Sequence, residues 1–291
     1  MSDLSRKIRE QFQKGDDIRD AGLTAPDDVA CVRDIVYGES KKWQSLDVYR
    51  PKADEGKVLP VIVSVHGGAW VYGDKERYQY YCMSLAQRGF AVVNFTYRLA
   101  PENKFPAPIE DTNMVFSWVL ENAKEYGFDV KHVFAVGDSA GAQILGLYCA
   151  ICTNPEYAKE YAFTVPAGFC PSAVALNCGK YRILLKDVQP EQVLAEYLPE
   201  KGTEEEINKI CVINHVTSDF PPTFLMTAAG DFLSHEAPVM AESLITCGVP
   251  FEFHFYSSPE YTLGHVFHCN MKMSEAKQCN DDECTFFRKF L

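Results

Sequence analysis

The chain has 291 residues, of which 47% are hydrophobic and 23% charged, values close to the globular average. This composition excludes extended disorder and collagen-like or low-complexity chains, and the length suits one large α/β domain. The 28 Lys and Arg against 40 Asp and Glu give a net charge of −12. Such acidity makes nucleic acid and anionic membrane surfaces poor candidate partners and mildly disfavours polyanionic substrates.

The N-terminal segment is polar and lacks the apolar core of a signal peptide. The longest apolar stretch, near 58–65, is far shorter than the roughly 20 residues of a membrane span. The eleven cysteines are odd in number and scattered, unlike a secreted disulfide framework. We therefore expect a cytoplasmic protein without a membrane span. Cys149 and Cys152 could form a redox or metal motif, but two thiols packed on a buried helix explain them more simply.

Leu4, Ile8 and Phe12 recur at four-residue spacing and predict an N-terminal amphipathic helix. Two short strands are predicted next, at 32–37 and 45–49. Apolar runs then predict six further strands, at 60–65, 90–96, 132–136, 172–177, 222–228 and 250–256. Stretches of helical length fall between or after them, at 77–88, 108–126, 140–152, 235–247 and 272–290.

This alternation predicts a doubly wound α/β sheet, mostly parallel, within one domain spanning 1–291. Several runs are apolar throughout, as expected of strands covered on both faces. Residues 178–216 break the alternation. We interpret them as a helical cap above the sheet, with 1–28 as a second cap element. Ligands of such sheets bind at the carboxyl ends of the strands.

The run 251–256 alternates phenylalanines with Glu252, His254 and Tyr256, which indicates one buried and one wetter face. This pattern suits an edge strand, where a second copy of the chain can pair. A homodimer through this edge is therefore a possible assembly.

The strongest local signal is GDSAG at 137–141, placed between a predicted strand and a predicted helix. That placement is typical of a nucleophile elbow, in which two glycines permit a sharp turn that exposes the serine hydroxyl. Ser139 is therefore the candidate nucleophile.

A serine nucleophile needs a base oriented by a carboxylate, each following a later strand in the order Ser, acid, His. Asp231 ends the strand at 222–228, and His265 lies in the loop after the last strand. His268 is the main alternative base. Asp219 is an alternative acid, although it precedes its strand.

The run HGGAW at 66–70 directly follows a strand. Consecutive glycines expose backbone N–H groups, so Gly67 and Gly68, together with Ala140 after the serine, are the candidate oxyanion donors. Trp70 and Tyr72 follow this loop and are candidate substrate contacts.

These motifs resemble the hormone-sensitive-lipase-like branch of the α/β-hydrolase esterases. HGGAW at 66–70 is similar to its HGGG/HGGxW oxyanion motif, and GDSAG at 137–141 to its elbow. YRLAPE at 97–102 resembles a third motif, whose Arg98 we expect to support the oxyanion loop through Glu102 or Asp111. The match covers about 58–268, although Ala69 and Ala142 stand where many members have glycine.

The resemblance implies an α/β-hydrolase fold with a helical cap. It further implies a serine carboxylesterase acting on short acyl esters through an acyl-enzyme, with no cofactor and no metal. The roles it implies for Ser139, Asp231 and His265 coincide with those argued from the residues. Two alternatives stay open: a related hydrolase of amide, lactone or peptide bonds, and a non-catalytic binder on the same scaffold.

Overall fold

The apolar runs form one eight-stranded sheet in the computed structural model, which describes residues 2–291. The strands are β1 (Val29–Val36), β2 (Ser45–Pro51), β3 (Leu59–Val65), β4 (Ala91–Phe95), β5 (Phe128–Asp138), β6 (Ala173–Asn177), β7 (Thr223–Ala228) and β8 (Phe251–Tyr256). The α-helices are α1 (Asp3–Asp20), α2 (Lys75–Ala86), α3 (Ala107–Glu121), α4 (Ala123–Tyr126), α5 (Ala140–Thr153), α6 (Pro155–Ala158), α7 (Leu194–Tyr197), α8 (Glu204–Lys209), α9 (Glu236–Cys247) and α10 (Ser274–Phe287).

The strand order is β1-β2-β4-β3-β5-β6-β7-β8. The first two strands pair antiparallel, and β2 also pairs antiparallel with β4. The remaining neighbours are parallel, so the predicted mostly parallel sheet is confirmed. Because β3, β5, β7 and β8 run in one direction, the loops after them meet along one edge of the sheet. We call this edge the carboxyl rim.

Two apolar clusters cover the sheet, one on each face. Val61 and Val63 pack in the first cluster, whereas Ile62 between them packs in the second. This division follows from the alternation of successive side chains across a strand. Strands covered on both faces read as continuous apolar runs, which is why the sequence revealed them. Cys149 and Cys152 pack with the first cluster as part of α5.

Helix boundaries follow local capping signals. The Asp74 carboxylate accepts the Arg77 N–H at 3.0 Å, so α2 begins two residues before the predicted start. The helix predicted over 108–126 is interrupted at Asn122, and its second part ends where Gly127 adopts a left-handed φ of 63°. The last predicted helix ends as a 3₁₀ turn at Arg288–Phe290.

Residues 178–216 contain only short helical pieces, including α7 and α8. The N-terminal helix, α1, is longer than predicted and reaches Asp20. It contacts the 178–216 segment, because the Ser5 hydroxyl donates to the Glu196 carboxylate. None of the helices within residues 2–291 combines the length and the apolar character that a membrane crossing needs.

The edge position of β8 is as predicted, but the two faces of this strand are not. Phe253 and Phe255 are 43% and 60% exposed, whereas His254 and Tyr256 are half-buried. The reason is that α10 covers the other face: the Tyr256 hydroxyl donates to Asp282 of that helix at 2.7 Å. The more apolar side chains therefore face solvent here.

Candidate active site

Ser139 lies in the turn between β5 and α5 with φ 52° and ψ −117°. Non-glycine residues rarely adopt this conformation, so the surrounding structure must hold it. A Cβ on Gly141 would lie 2.1 Å from the Val65 carbonyl oxygen, and one on Gly137 would lie 2.7 Å from the Gly141 carbonyl oxygen. The two flanking glycines thus allow the close approach of strand and helix that the turn requires.

The hydroxyl of Ser139 lies at the carboxyl rim beside the imidazole of His265. The His265 Nε2 atom is 2.9 Å from the Ser139 Oγ atom, within hydrogen-bond distance. The His265 Nδ1 atom is 2.7 Å from Asp231 Oδ1. Three side chains that are up to 126 residues apart in the sequence therefore meet in one continuous chain of hydrogen bonds.

Asp231 is held by more than the imidazole. Its carboxylate also accepts the Thr227 hydroxyl at 2.8 Å and the Leu233 N–H at 2.8 Å. Burial alone would raise the pKa of Asp231, but the hydrogen bonds and the charge of His265 outweigh it and lower that pKa. The carboxylate is therefore ionised at neutral pH. It accepts the Nδ1 proton and leaves Nε2 free to accept from Ser139.

His268 and Asp219, the alternative base and acid, do not take part in this chain of hydrogen bonds. His268 is fully buried and packs edge-on against Tyr81 at 5.1 Å between ring centroids. Burial lowers the pKa of His268 to about 3. Asp219 is exposed and lies before β7, at the opposite end of that strand from the rim.

The hydrogen bonds of residues 67–69 change which backbone amides are candidate oxyanion donors. The Gly67 N–H already donates to Asp138 Oδ1 at 3.1 Å and to the Tyr78 hydroxyl at 2.9 Å, so it is not directed at the reacting centre. The amides of Gly68, Ala69 and Ala140 have no hydrogen-bond partner within residues 2–291.

Gly68 and Ala69 both have a positive φ, so the backbone turns sharply directly after strand β3. The values are 123° at Gly68 and 51° at Ala69. A Cβ on Gly68 would lie 2.0 Å from the Tyr72 carbonyl oxygen, so only glycine fits there. Ala69 adopts a left-handed φ although it is not a glycine.

Asp138, which precedes the serine, is buried behind the site and fixes this loop. Its second carboxylate oxygen accepts the Tyr78 hydroxyl at 2.7 Å. Burial raises the pKa of Asp138 to about 6, although the hydrogen bond from Tyr78 and the charge of His265 oppose the rise. The Asp138 carboxyl group therefore connects the turn that carries Ser139 to the loop at Gly67.

Arg98 supports the neighbouring loop through Asp111 and not through Glu102. Its guanidinium lies 2.9 Å from Asp111 and 2.8 Å from Glu110. Glu102 instead pairs with Arg9 of α1 at 2.7 Å. The Tyr97 hydroxyl of the same stretch donates to the His66 carbonyl oxygen at 2.7 Å, so YRLAPE contacts both the 66–70 loop and the N-terminal helix.

Two cavities meet at Ser139. One has a volume of about 360 Å³ and extends under the 178–216 segment, and the other, of about 350 Å³, extends under α1. Ala69 and Phe232 line both of them. Their sizes fall in the usual range for small-molecule sites. An ester placed at the serine would have one cavity for its acid and one for its alcohol.

The two aromatic residues predicted to contact substrate divide between the cavities. Trp70 lines the first, but it is only 5% exposed and donates from its indole to Gln143 at 3.0 Å. Tyr72 lines the second and donates to Asp16 of α1 at 2.8 Å. Both side chains are therefore held by the protein and offer mainly ring surface to a ligand.

Sequence reasoning missed Phe232, the residue directly after Asp231. Its ring is 70% exposed and lies 4.4 Å from the imidazole of His265, between centroids. An aromatic residue next to the candidate acid was the available signal. The cavity residues Lys180 and Arg182 were also missed, because nothing in their local pattern distinguishes them from other cap residues.

One group of side chains could in principle hold a metal ion. Ligand atoms of Cys178, Asp231 and His265 lie within 4.8 Å of one another, the only such group of three among residues 2–291. The imidazole and the carboxylate are already hydrogen-bonded to each other at 2.7 Å. Burial also raises the pKa of Cys178 well above its usual value, so the thiol stays protonated and is a poor ligand. The donor set therefore fits a metal badly.

Comparison with known proteins agrees with this geometry. A family model described as α/β-hydrolase fold matches residues 62–268, and the chain belongs to that family. Versiconal hemiacetal acetate esterase of Dothistroma septosporum is 27% identical over 74% of this chain and 69% of its own length. Carboxylesterase NlhH of Mycobacterium tuberculosis is 32% identical over 72% of this chain and 66% of its own.

Two further relatives of Mycobacterium tuberculosis, esterase LipC and the probable carboxylic ester hydrolase LipM, are covered over only 32% and 48% of their own length. The crystal structure of esterase B from Lactobacillus rhamnosis superposes with a TM-score of 0.87. It covers 99% of this chain and 95% of that chain at 24% identity, which shows the shared fold. The predicted α/β-hydrolase fold is thereby confirmed.

Proposed function

We propose that this protein is a serine carboxylesterase in which Ser139, His265 and Asp231 form the catalytic triad. The observation that carries the proposal is the chain of hydrogen bonds from Ser139 through His265 to Asp231, at 2.9 and 2.7 Å. The esterases among the family relatives support the same class of reaction. The substrate is a small carboxylic ester.

The reaction has two acyl-transfer steps. His265 Nε2 takes the Ser139 proton as the hydroxyl oxygen attacks the ester carbonyl. The resulting tetrahedral oxyanion collapses, the C–O bond to the alcohol breaks, and the alcohol leaves with the proton from His265. Water then attacks the acyl-enzyme with the same imidazole as base, which releases the acid and restores Ser139. Asp231 stabilises the imidazolium in both steps.

The oxyanion is held by backbone N–H groups. The free amides of Gly68, Ala69 and Ala140 are the proposed donors, and Gly67 acts through the turn that it forms with Asp138. Loss of one donor of this kind typically costs about 3 kcal/mol of transition-state stabilisation. No cofactor takes part in these steps.

Replacement of Ser139 by alanine tests the proposal. We expect kcat for p-nitrophenyl butyrate to fall by roughly 10⁴-fold or more, because no other group supplies the nucleophile. Circular dichroism should show an unchanged fold, and a fluorophosphonate should label the wild type but not S139A. Substantial turnover in folded S139A would refute the assignment. A panel of matched esters and amides separates the esterase from a hydrolase of amide bonds.

We further propose a cytoplasmic location and assembly into a homodimer through β8. All eleven cysteines carry free thiols, the form that a reducing compartment maintains. Strand β8 lies at the sheet edge and exposes Phe253 and Phe255. Cell fractionation and light scattering test the two points.

A further inference from the structure

The cavity beneath the 178–216 segment carries positive charge in a protein whose net charge is −12. Its wall includes Lys180, Arg182 and Lys186, together with the acids Asp187 and Glu236. His235 also lines this cavity, with its Nε2 atom 3.4 Å from Glu236. The arrangement of these charges decides which of them is available to a ligand.

Both acids of the wall form ion pairs with Lys180. Its ammonium lies 2.9 Å from Glu236 and 3.1 Å from Asp187. Glu236 is 1% exposed, and its other oxygen accepts the N–H groups of Tyr181 at 3.3 Å and Arg182 at 2.9 Å. A buried carboxylate thus fixes the backbone at 180–182, and with it the start of the Arg182 side chain.

The guanidinium of Arg182 is left without a counterpart. Within the part of the chain that the structure describes, it makes neither an ion pair nor a hydrogen bond, and its Nε atom is buried. Arg182 as a whole is half-buried, but its buried Nε atom lacks the hydrogen-bond partner that buried polar atoms almost always have. Lys186, which is exposed beside it, has no ion pair with residues 2–291 either. The positive charge of the cavity is therefore free to meet an anion.

We propose that Arg182 binds a carboxylate on the substrate, so that the preferred ester carries an anionic group on the half that occupies this cavity. Guanidinium and carboxylate form paired, charge-assisted hydrogen bonds, the strongest type available here. The wall also has an apolar part, which includes Leu194, Phe232 and Leu233 and suits a hydrocarbon spacer between that carboxylate and the ester. This inference rests on the proposed esterase function and specifies its substrate class.

Three esters and three variants test the inference. Neutral p-nitrophenyl butyrate is compared with mono-p-nitrophenyl adipate, which carries the carboxylate on the acid half, and with 4-butyryloxybenzoate, which carries it on the alcohol half. We expect R182Q to lower kcat/KM for one anionic ester by about tenfold to a hundredfold, the effect of losing hydrogen bonds to a charged group. Turnover of the neutral ester should fall by less, so that the preference for that anionic ester over the neutral one decreases.

Arg182→Lys keeps the charge without the planar fork and should give an intermediate loss. The matched control is R6Q, because Arg6 is an exposed arginine on the outer surface of α1. It should leave the preference between anionic and neutral esters unchanged. Equal effects of R182Q on all three esters, or no effect on any, would overturn the inference.

Calorimetric titration supplies a readout that does not depend on catalysis. Adipate or 4-hydroxybenzoate, the acid-bearing fragments of the two anionic esters, should bind the wild type and bind R182Q at least about tenfold more weakly. If the wild type hydrolyses none of the esters, the esterase proposal fails, and the titration still decides whether Arg182 binds a carboxylate. Equal binding of both fragments by wild type and R182Q contradicts the inference.

Discussion

The carboxyl rim and the cap over it are built in different ways. At the rim, Ser139 and Asp231 follow strands buried on both faces, and each is held by several backbone and side-chain hydrogen bonds. The 178–216 segment consists of helices of four to six residues joined by irregular chain. Helices this short are not stable alone and depend on tertiary contacts.

Several cap side chains, among them Tyr181, Tyr197 and Leu198, are fully buried in the first apolar cluster. The Tyr197 ring stacks on Trp70 at 5.4 Å, and the Gln143 amide donates to the Ile210 carbonyl at 2.8 Å. We propose a division of roles in which the strand ends and tight turns of the rim hold the reacting groups, and the irregular cap presents the side chains that select the substrate. Substitutions should therefore affect rate and folding at the rim, and preference at the cap.

Two histidines of the rim give the largest expected contrast. We expect H265N to lower kcat for p-nitrophenyl butyrate by roughly 10⁴-fold, because the base is lost while the fold is kept. H268N should keep kcat within a few-fold, since His268 is buried and packs against Tyr81. Its effect should instead be a loss of stability of about 1–3 kcal/mol from a polar side chain in that packed position.

Steady-state kinetics and urea unfolding of both variants measure this contrast. The prediction would be contradicted if H268N were well folded but lost most of its kcat while H265N stayed active. That result would transfer the role of base to His268.

Two glycines compare the tolerance of rim and cap directly. In G141A the new methyl group would lie 2.1 Å from the Val65 carbonyl oxygen, so strand and helix must separate. We expect a loss of stability of about 3 kcal/mol or more, with activity lost as the serine turn shifts. Gly15 of α1 lines the second cavity, and a Cβ there would meet nothing within 4 Å, so G15A should gain up to about 1 kcal/mol.

Thermal unfolding of both proteins provides the measurement. A G141A protein as stable as the wild type would show that the elbow is not tightly packed. A loss of stability in G15A as large as that in G141A would show that the backbone of α1 is packed as tightly as the serine turn.

The fold and the hydrogen-bonded meeting of Ser139, His265 and Asp231 were predictable because their signals are local and ordered. Apolar runs mark strands covered on both faces, and Ser139, Asp231 and His265 each follow such a run in the expected order. The role of Gly67 was not predictable, because the direction of its N–H depends on the turn and on Asp138, 71 residues away. The free charge of Arg182 also escaped the sequence, since it depends on Lys180 engaging the distant Glu236.

One carboxyl group in the rim and one in the cap should make the stability of the protein depend on pH to different extents. Burial raises the pKa of Asp138 from 3.8 to about 6. Between these values the folded protein keeps a proton that the unfolded chain releases, so this group's contribution to stability is present below about pH 3.8 and is lost as pH rises through about 6. Asparagine cannot ionise, so D138N removes this pH dependence.

We therefore expect the stability of D138N, relative to wild type, to increase by about 2 kcal/mol between pH 4.5 and 7.5. Urea unfolding at the two pH values measures it. In α1, burial also raises the pKa of Asp16, against the effect of Arg19 at 2.9 Å. D16N should change in the same direction but by less, because Asp16 keeps an ion pair and some contact with solvent. Parallel pH profiles for wild type and D138N would mean that Asp138 is solvated and that the rim is looser than its packing indicates.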